Sequence, residues 1–120
     1  MIFSDSKAIY EQISERVCDD IISGKYKADE RIPSARDIGA NFQVNPNTVV
    51  KSFELLARNE IIYYRRGMGY YVSSNALKRI LDVRRKNFLG ILLPDMFRQM
   101  KLLGIDIGTI SEEWEKAKRS

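Results

Sequence analysis

The residues with the clearest chemical meaning are the small polar pair Asn47-Thr48 and, one turn later, Lys51. Asn45 is a good N-cap. Pro46 suits the first helical position, because an N–H there would have no partner within the helix and the φ of proline is already helical. Donors and acceptors on the first turns of a helix can bind base edges in the DNA major groove, which admits one helix. The pattern therefore predicts a reading helix with Asn47, Thr48 and Lys51 as base readers.

A second, preceding helix carries an arginine in an unusual place. Ser34 and Asp37 resemble a capping box, so the helix is predicted to begin just after Ser34. Arg36 then lies in the first turn, where a positive charge opposes the helix dipole. A DNA phosphate or guanine edge would stabilise it there. A weak local ion pair with Asp37 or Asp29 is the alternative.

A basic hairpin is predicted after the reading helix. Runs rich in β-branched and aromatic residues, 61–64 and 70–72, flank the tip 65–69, which holds two arginines and two glycines. The arginines can neutralise phosphates or enter a narrow minor groove, and the glycines permit the turn and a close backbone approach. A dinucleotide-binding loop is rejected, since a strand follows and the glycine spacing is too short. The predicted DNA-binding residues are Ser34, Arg36, Asn45, Asn47, Thr48, Lys51, Arg65, Arg66, Gly67 and Gly69.

A scaffold helix over residues 6–23 is predicted to support these elements, and Gly24 ends it. Its apolar stripe is Ile9, Ile13, Val17 and Ile21, widened by Tyr10 and Ile22. The apolar side of the reading helix, which must face a core, is Val49, Val50, Phe53, Leu55 and Leu56. Its polar front is Asn47, Thr48, Lys51 and Ser52. Tyr10 and Gln12 could touch the DNA backbone, but core or surface placement is favoured. The expected fold is mostly α with a small β-hairpin: a winged helix-turn-helix over residues 1–73.

Residues 74–120 are predicted to form a C-terminal helical dimerisation segment, with a kink or new start at Pro94 and a stop at Gly104. Its apolar surface is hard to bury within one subunit, so a two-fold partner is expected. The competing interpretation is a pocket for an apolar effector lined by Met96, Phe97, Met100 and Trp114. The predicted dimer interface is Leu77, Ile80, Leu81, Phe88, Leu92, Met96, Met100, Leu103, Ile110 and Trp114.

Charge and composition favour a nucleic-acid partner and exclude most catalysis. The net charge is +4, and residues 31–72 carry six Lys/Arg against three Asp/Glu, whereas residues 1–30 carry four against seven. With no histidine and the single Cys18, the usual zinc, haem and Ser-His or Cys-His sites cannot be built, so neither an enzyme nor a cofactor or metal is expected. The first five residues lack signal-peptide features and the apolar run 88–93 is too short for a bilayer, so a cytoplasmic protein is expected.

Several separated blocks resemble the winged-helix domain of GntR-type bacterial transcription regulators. The resemblance covers about residues 6–73, and the short remainder is similar to the YtrA subfamily, in which a small helical dimerisation segment follows. It implies repression by a homodimer on a palindromic operator. A winged-helix protein-interaction module and a regulator gated by an effector in the tail remain alternatives. The matching blocks are residues 9–13, 21–26, 31–38, 44–49, 53–56 and 66–72.

The chain departs from that family pattern at several positions. Asp29 and Glu60 stand where the family usually has glycine, and Gly39 stands where it has alanine. The segment 45–47, Asn-Pro-Asn, replaces the more frequent serine-arginine pair of the base-reading turn. Because asparagine prefers adenine edges and arginine prefers guanine, an A·T-containing half-site is predicted.

Overall fold

The structure is a computed structural model that describes residue 3 and residues 6–120. Residues 1, 2, 4 and 5, which entered the signal-peptide argument, lie outside the described part. Internal contacts divide the chain into two compact units, Met1–Asp82 and Val83–Ser120. The sequence had suggested a boundary between residues 73 and 74, at the end of the hairpin. Among the described residues, no helix is both long and apolar enough to cross a membrane.

The first unit has the element order predicted from the sequence. Helix α1 is Ile9–Ile22, α2 is Ala35–Phe42 and α3 is Pro46–Arg58. The hairpin strands are β1, Ile62–Arg65, and β2, Gly69–Val72, and α4 follows at Ala76–Asn87. The fold is therefore a winged helix-turn-helix, mostly helical with one small antiparallel sheet, as expected.

The predicted starts of α2 and α3 are confirmed by their capping bonds, whereas α1 begins at Ile9 and not at residue 6. The Ser34 hydroxyl accepts a hydrogen bond from the Asp37 amide at 3.1 Å. The Asn45 side chain accepts one from the Asn47 amide at 2.8 Å, immediately before α3. Between the two helices, a Cβ on Gly39 would lie 2.8 Å from the Val44 carbonyl oxygen. Glycine thus lets α2 and the turn after it approach more closely than alanine would permit.

The core of the first unit forms where α1 and α2 pack against α3. Ile9 and Ile22, expected in the α1 stripe, are exposed: Ile9 lies in the first turn, and the helical step of about 100° per residue turns Ile22 away from the buried Ile21. Ile80 was predicted to face a partner subunit, but its side chain is 4% exposed in this core, since the first turns of α4 belong to the first unit. The buried cluster is Ile13, Val17, Ile21, Ile32, Ile38, Val49, Phe53, Leu56, Ile61, Ile62, Val72, Ala76 and Ile80.

The wing is anchored on both sides of β2. β1 pairs with β2 antiparallel, with Tyr63 opposite Tyr71. On the other side, the Asp29 amide donates to the Val72 carbonyl at 2.8 Å, and the Ile32 amide donates to the Tyr70 carbonyl at 3.0 Å. The segment before α2 therefore pairs with the edge of β2 that β1 leaves free, and this pairing connects the wing to the start of α2.

Asp29 and Glu60 both adopt left-handed backbone conformations, with φ of 63° and 60°. This explains why the family usually has glycine at these positions, since an L side chain is strained there. Each carboxylate makes one contact in return. Asp29 accepts a hydrogen bond from the Tyr63 hydroxyl at 3.1 Å, and desolvation together with that bond raises the pKa of Tyr63. Glu60 pairs with Arg79 at 3.1 Å, on the surface.

Glu60→Gly is expected to stabilise the protein by about 0.5–1 kcal/mol. Relief of the left-handed strain exceeds both the weak exposed ion pair and the greater freedom of the unfolded chain. The thermal or urea midpoint measures the change. Arg58→Gly, in the last turn of α3, is the control and should destabilise by about 1 kcal/mol. A lower midpoint for Glu60→Gly would show that residue 60 is not strained.

The elements of the second unit that the structure describes are all helical. After α4 comes a π-helical turn, Phe88–Leu92, then α5, Leu93–Leu103, and α6, Ile107–Lys118. Pro94 cannot donate a hydrogen bond back along the helix, and the π-helical turn lies directly before it, as expected for a local break in the ladder. Gly104 ends α5 with φ 67°, as predicted. Asp106 caps α6 by accepting from the Thr109 amide at 3.0 Å, which lowers the pKa of Asp106.

Candidate nucleic-acid interface

Helix α3 has one buried and one exposed face over its first two turns. Val49, Phe53 and Leu56 are buried, as predicted. Ser52 and Val50 differ from the prediction: Ser52, taken as part of the polar front, is 0% exposed, and Val50, assigned to the core, is 42% exposed. The reason is the helical step of about 100° per residue, which places Ser52 on the side of Val49 and turns Val50 away. The exposed row is Asn47, Val50, Lys51 and Glu54.

The buried hydroxyl of Ser52 joins α3 to α1. It donates its single proton to the Tyr10 carbonyl at 2.7 Å, and the Thr48 carbonyl lies 3.2 Å away. The Ser14 hydroxyl of α1 lies 3.2 Å from the Tyr10 carbonyl and 3.5 Å from the Ser52 carbonyl. A buried polar group is tolerated only when it is hydrogen-bonded, so these contacts fix which face of α3 is presented.

Lys51 is oriented by α1. Its ammonium lies 4.4 Å from the centroid of the Tyr10 ring, a cation–π contact that leaves the charge on the exposed side of α3. The sequence favoured a core or surface role for Tyr10; the structure places it half-buried beside a predicted base reader. No spacing rule links residues 10 and 51, so this contact was not visible in the sequence.

The other predicted readers differ in access. The Asn47 side chain is exposed, and within the described residues its side-chain carboxamide forms no hydrogen bond, since the bond to Asn45 uses the backbone N–H. Thr48 is half-buried. Asn45 is exposed, but its carbonyl oxygen caps α3, which leaves only its NH₂ group for DNA. Asn47 is therefore the side chain best placed to read a base edge.

The predicted cations are exposed, as phosphate contacts must be. In the described part of the chain, no carboxylate lies within ion-pair distance of Arg36, so the alternative pairing with Asp37 or Asp29 does not form. Arg66 lies exposed at the wing tip. The Arg65 guanidinium stacks 4.9 Å from the centroid of the Tyr71 ring on β2. Stacking of this kind orders an arginine without neutralising its charge.

Arg31 is a basic residue of this surface that sequence reasoning did not select. Its Nε lies 3.3 Å from the position that a Cβ on Gly69 would occupy, and Gly69 itself has φ 102°. Arg31 also lines an open cleft with Ser34 at the start of α2. Only its place in the basic segment 31–72 could have drawn attention to it, because the contact with the wing depends on the fold.

The predicted dimer residues divide by exposure within the single chain. Leu81, Met96 and Ile110 are half-buried, and Met100, at 8% exposure, joins Ile80 as buried. The exposed members of the predicted interface are Leu77, Phe88, Leu92, Leu103 and Trp114.

No group of three or more metal-ligating side chains occurs among the residues that the structure describes.

Comparison with known proteins agrees with this architecture. The family described as bacterial regulatory proteins, gntR family, matches residues 9–72. The HTH-type transcriptional repressor YtrA of Bacillus subtilis (strain 168) is 32% identical over 111 residues, which are 92% of this chain and 79% of that protein. A solved GntR-family structure from Bacteroides thetaiotaomicron is 40% identical with a TM-score of 0.76, covering 93% of this chain and 97% of that one. The DNA-binding domain of AraR, solved in complex with operator ORX1, matches 60% of this chain and 93% of that one, with 25% identity and a TM-score of 0.53.

Proposed function

Because the chain belongs to the gntR family of bacterial regulatory proteins, we propose that it represses transcription as a homodimer bound to a palindromic operator. Family membership makes it a DNA-binding transcription regulator and not an enzyme. Repression, the homodimer and the palindromic operator go beyond family membership and are the content of the proposal. Repression is supported by the similarity to YtrA, which is named a repressor. A DNA operator would place the protein in the cytoplasm.

The observation that supports the DNA-binding surface is the exposed row on α3, together with exposed arginines on α2 and on the wing. Asn47 offers a free amide to a base edge, and Lys51 is held beside it by Tyr10. Arg36 is exposed on α2 and Arg66 on the wing tip. Base edges specify a sequence, and phosphates fix the position of the protein on the duplex. An exposed polar row on α3, together with exposed arginines on α2 and on the wing, supports both roles.

The homodimer is supported by the apolar surface of the second unit. Leu102 is 76% exposed, Leu103 70% and Ile91 65%. Large apolar side chains exposed to this degree are typical of a protein–protein contact, and a second copy of the chain would cover them by two-fold symmetry. An effector pocket in this segment remains an alternative, and Met100, one of its four predicted lining residues, is buried.

Selection from a random duplex library tests the proposal. We expect the purified protein to enrich an inverted repeat whose half-sites contain A·T pairs, and to repress a reporter placed behind it. Charge reversal, Arg36→Glu or Arg65→Glu, should abolish this binding. Enrichment of no sequence, or binding that tolerates both reversals, would favour the protein-interaction alternative. A selected site without two-fold symmetry would contradict the palindrome.

Binding to the selected duplex should weaken steeply between about 50 and 200 mM salt, because each cation that contacts a phosphate releases a counterion. Arg66→Ala and Arg65→Ala should weaken binding to all sequences and make the slope of log K against log salt shallower by about one per contact removed. Fluorescence anisotropy over a salt series measures both quantities. Arg119→Ala, at the far end of the chain, is the control. Slopes equal to wild type in both wing variants would remove the wing from the interface.

A further inference from the structure

The exposed row of α3 contains one side chain that cannot form a hydrogen bond. Asn47, Lys51 and Glu54 are polar, whereas Val50, between them, is an aliphatic residue 42% exposed to solvent. Val50 lies outside the buried cluster and is not among the half-buried residues packed against it. It therefore adds little to the fold, yet it lies on the face that the proposed function directs at DNA.

The major groove offers such a side chain one specific partner. The C5-methyl of thymine is the large apolar group on the base edges there, and it distinguishes thymine from the other bases. A valine at this position can exclude water from that methyl, and its branched Cβ holds the side chain in a narrow range of rotamers on a helix. We propose that Val50 is a specificity-determining residue that contacts a thymine methyl in each half-site. This rests on the proposed binding of α3 in the major groove.

The spacing of the row indicates where the thymine lies. Val50 follows Asn47 by three residues, a rise of about 4.5 Å along the helix, close to the rise of about 3.4 Å between base pairs. The two side chains are therefore close enough on one face of α3 to contact the same base pair or neighbouring ones. Asn47 suits an adenine edge and Val50 a thymine methyl, so the half-site is expected to contain A·T pairs read by different chemistry.

Replacing thymine by deoxyuridine tests this contact directly, because it removes the methyl and leaves base pairing and hydrogen-bonding groups intact. The probe is the duplex that the protein selects from the random library, with each thymine replaced in turn in both half-sites. Wild-type protein should lose affinity at one thymine per half-site, roughly fourfold for each buried methyl. Val50→Ala should bind the unmodified duplex more weakly and should be insensitive to deoxyuridine at that thymine.

Two controls separate this result from a loss of structure. Val50→Ala should melt at the wild-type temperature, because exposed substitutions away from special contacts change stability little. Val83→Ala removes the same methyls from a side chain 60% exposed on α4, and its deoxyuridine profile should match wild type. Identical profiles for wild type and Val50→Ala would overturn the proposal while leaving operator binding intact. Failure of the wild-type protein to select any duplex would overturn the proposed function and, with it, this inference.

Discussion

Leu103→Asp is expected to convert the protein to a monomer and to lower its affinity for the full operator by 10²-fold or more. The side chain is 70% exposed at the end of α5, and a carboxylate there would be buried without a partner in an apolar dimer contact. Two reading units held together bind through effective concentration, and that gain is lost when the interface opens. Trp114→Asp, on α6, should have the same effect.

Sedimentation and binding to full and half sites measure this result together. The monomeric variant should bind a half-site about as well as wild type, because it retains the first unit. Lys101→Asp, on the opposite side of α5 from Met100 and Leu103, is the control and should remain dimeric. A fragment ending at Asp82 is the matching truncation, since a cut near Ser74 would remove Ala76 and Ile80 from the core. A monomeric wild type at micromolar concentration would contradict the proposed interface.

Asn47→Ala is expected to cost about 1–3 kcal/mol on the selected operator, the value of one good bidentate base contact. Discrimination should relax at one base pair per half-site, and binding to random DNA should hardly change. The fold should be unaffected, since the capping bond at this position uses the backbone amide of Asn47 and not its side chain.

Competition between selected and random duplexes distinguishes base reading from phosphate contact. Asn59→Ala is the control: it removes an exposed carboxamide at the other end of α3, far from the reading turn, and should behave as wild type. If Asn47→Ala lowers affinity equally on both duplexes, the residue contacts the backbone and the assignment is wrong.

The features predicted correctly from the sequence are those decided by local chemistry. Ser34 and Asn45 cap helices through bonds to residues two or three positions away, and Gly104 ends α5 through its own backbone conformation. The hairpin likewise follows from two β-prone runs and a glycine-bearing tip. For these elements no knowledge of the rest of the chain is needed.

The features missed depend on which distant segment each residue meets. The apolar Val50 is exposed and the polar Ser52 is buried, so hydrophobic patterning assigned each of them to the wrong face of α3. The helical step places Ser52 on the buried side of α3, and its burial is tolerated because the Tyr10 carbonyl of α1 accepts its proton. Arg31 reaches Gly69 only because the segment before α2 pairs with β2. Ile80 belongs to the core because the first turns of α4 complete the first unit.

The Ser52 hydroxyl has a consequence for fidelity. Close packing of Val49, Phe53 and Leu56 resists rotation of α3, which would present a different row of groups to the bases. The bond from Ser52 to the Tyr10 carbonyl at 2.7 Å adds a directional contact, because a hydrogen bond weakens as its angle changes. That acceptor is a backbone atom, so it would be present whatever side chain stood at position 10. In the proposed complex, the accuracy with which α3 chooses among sequences would thus depend partly on a buried oxygen that no nucleotide touches.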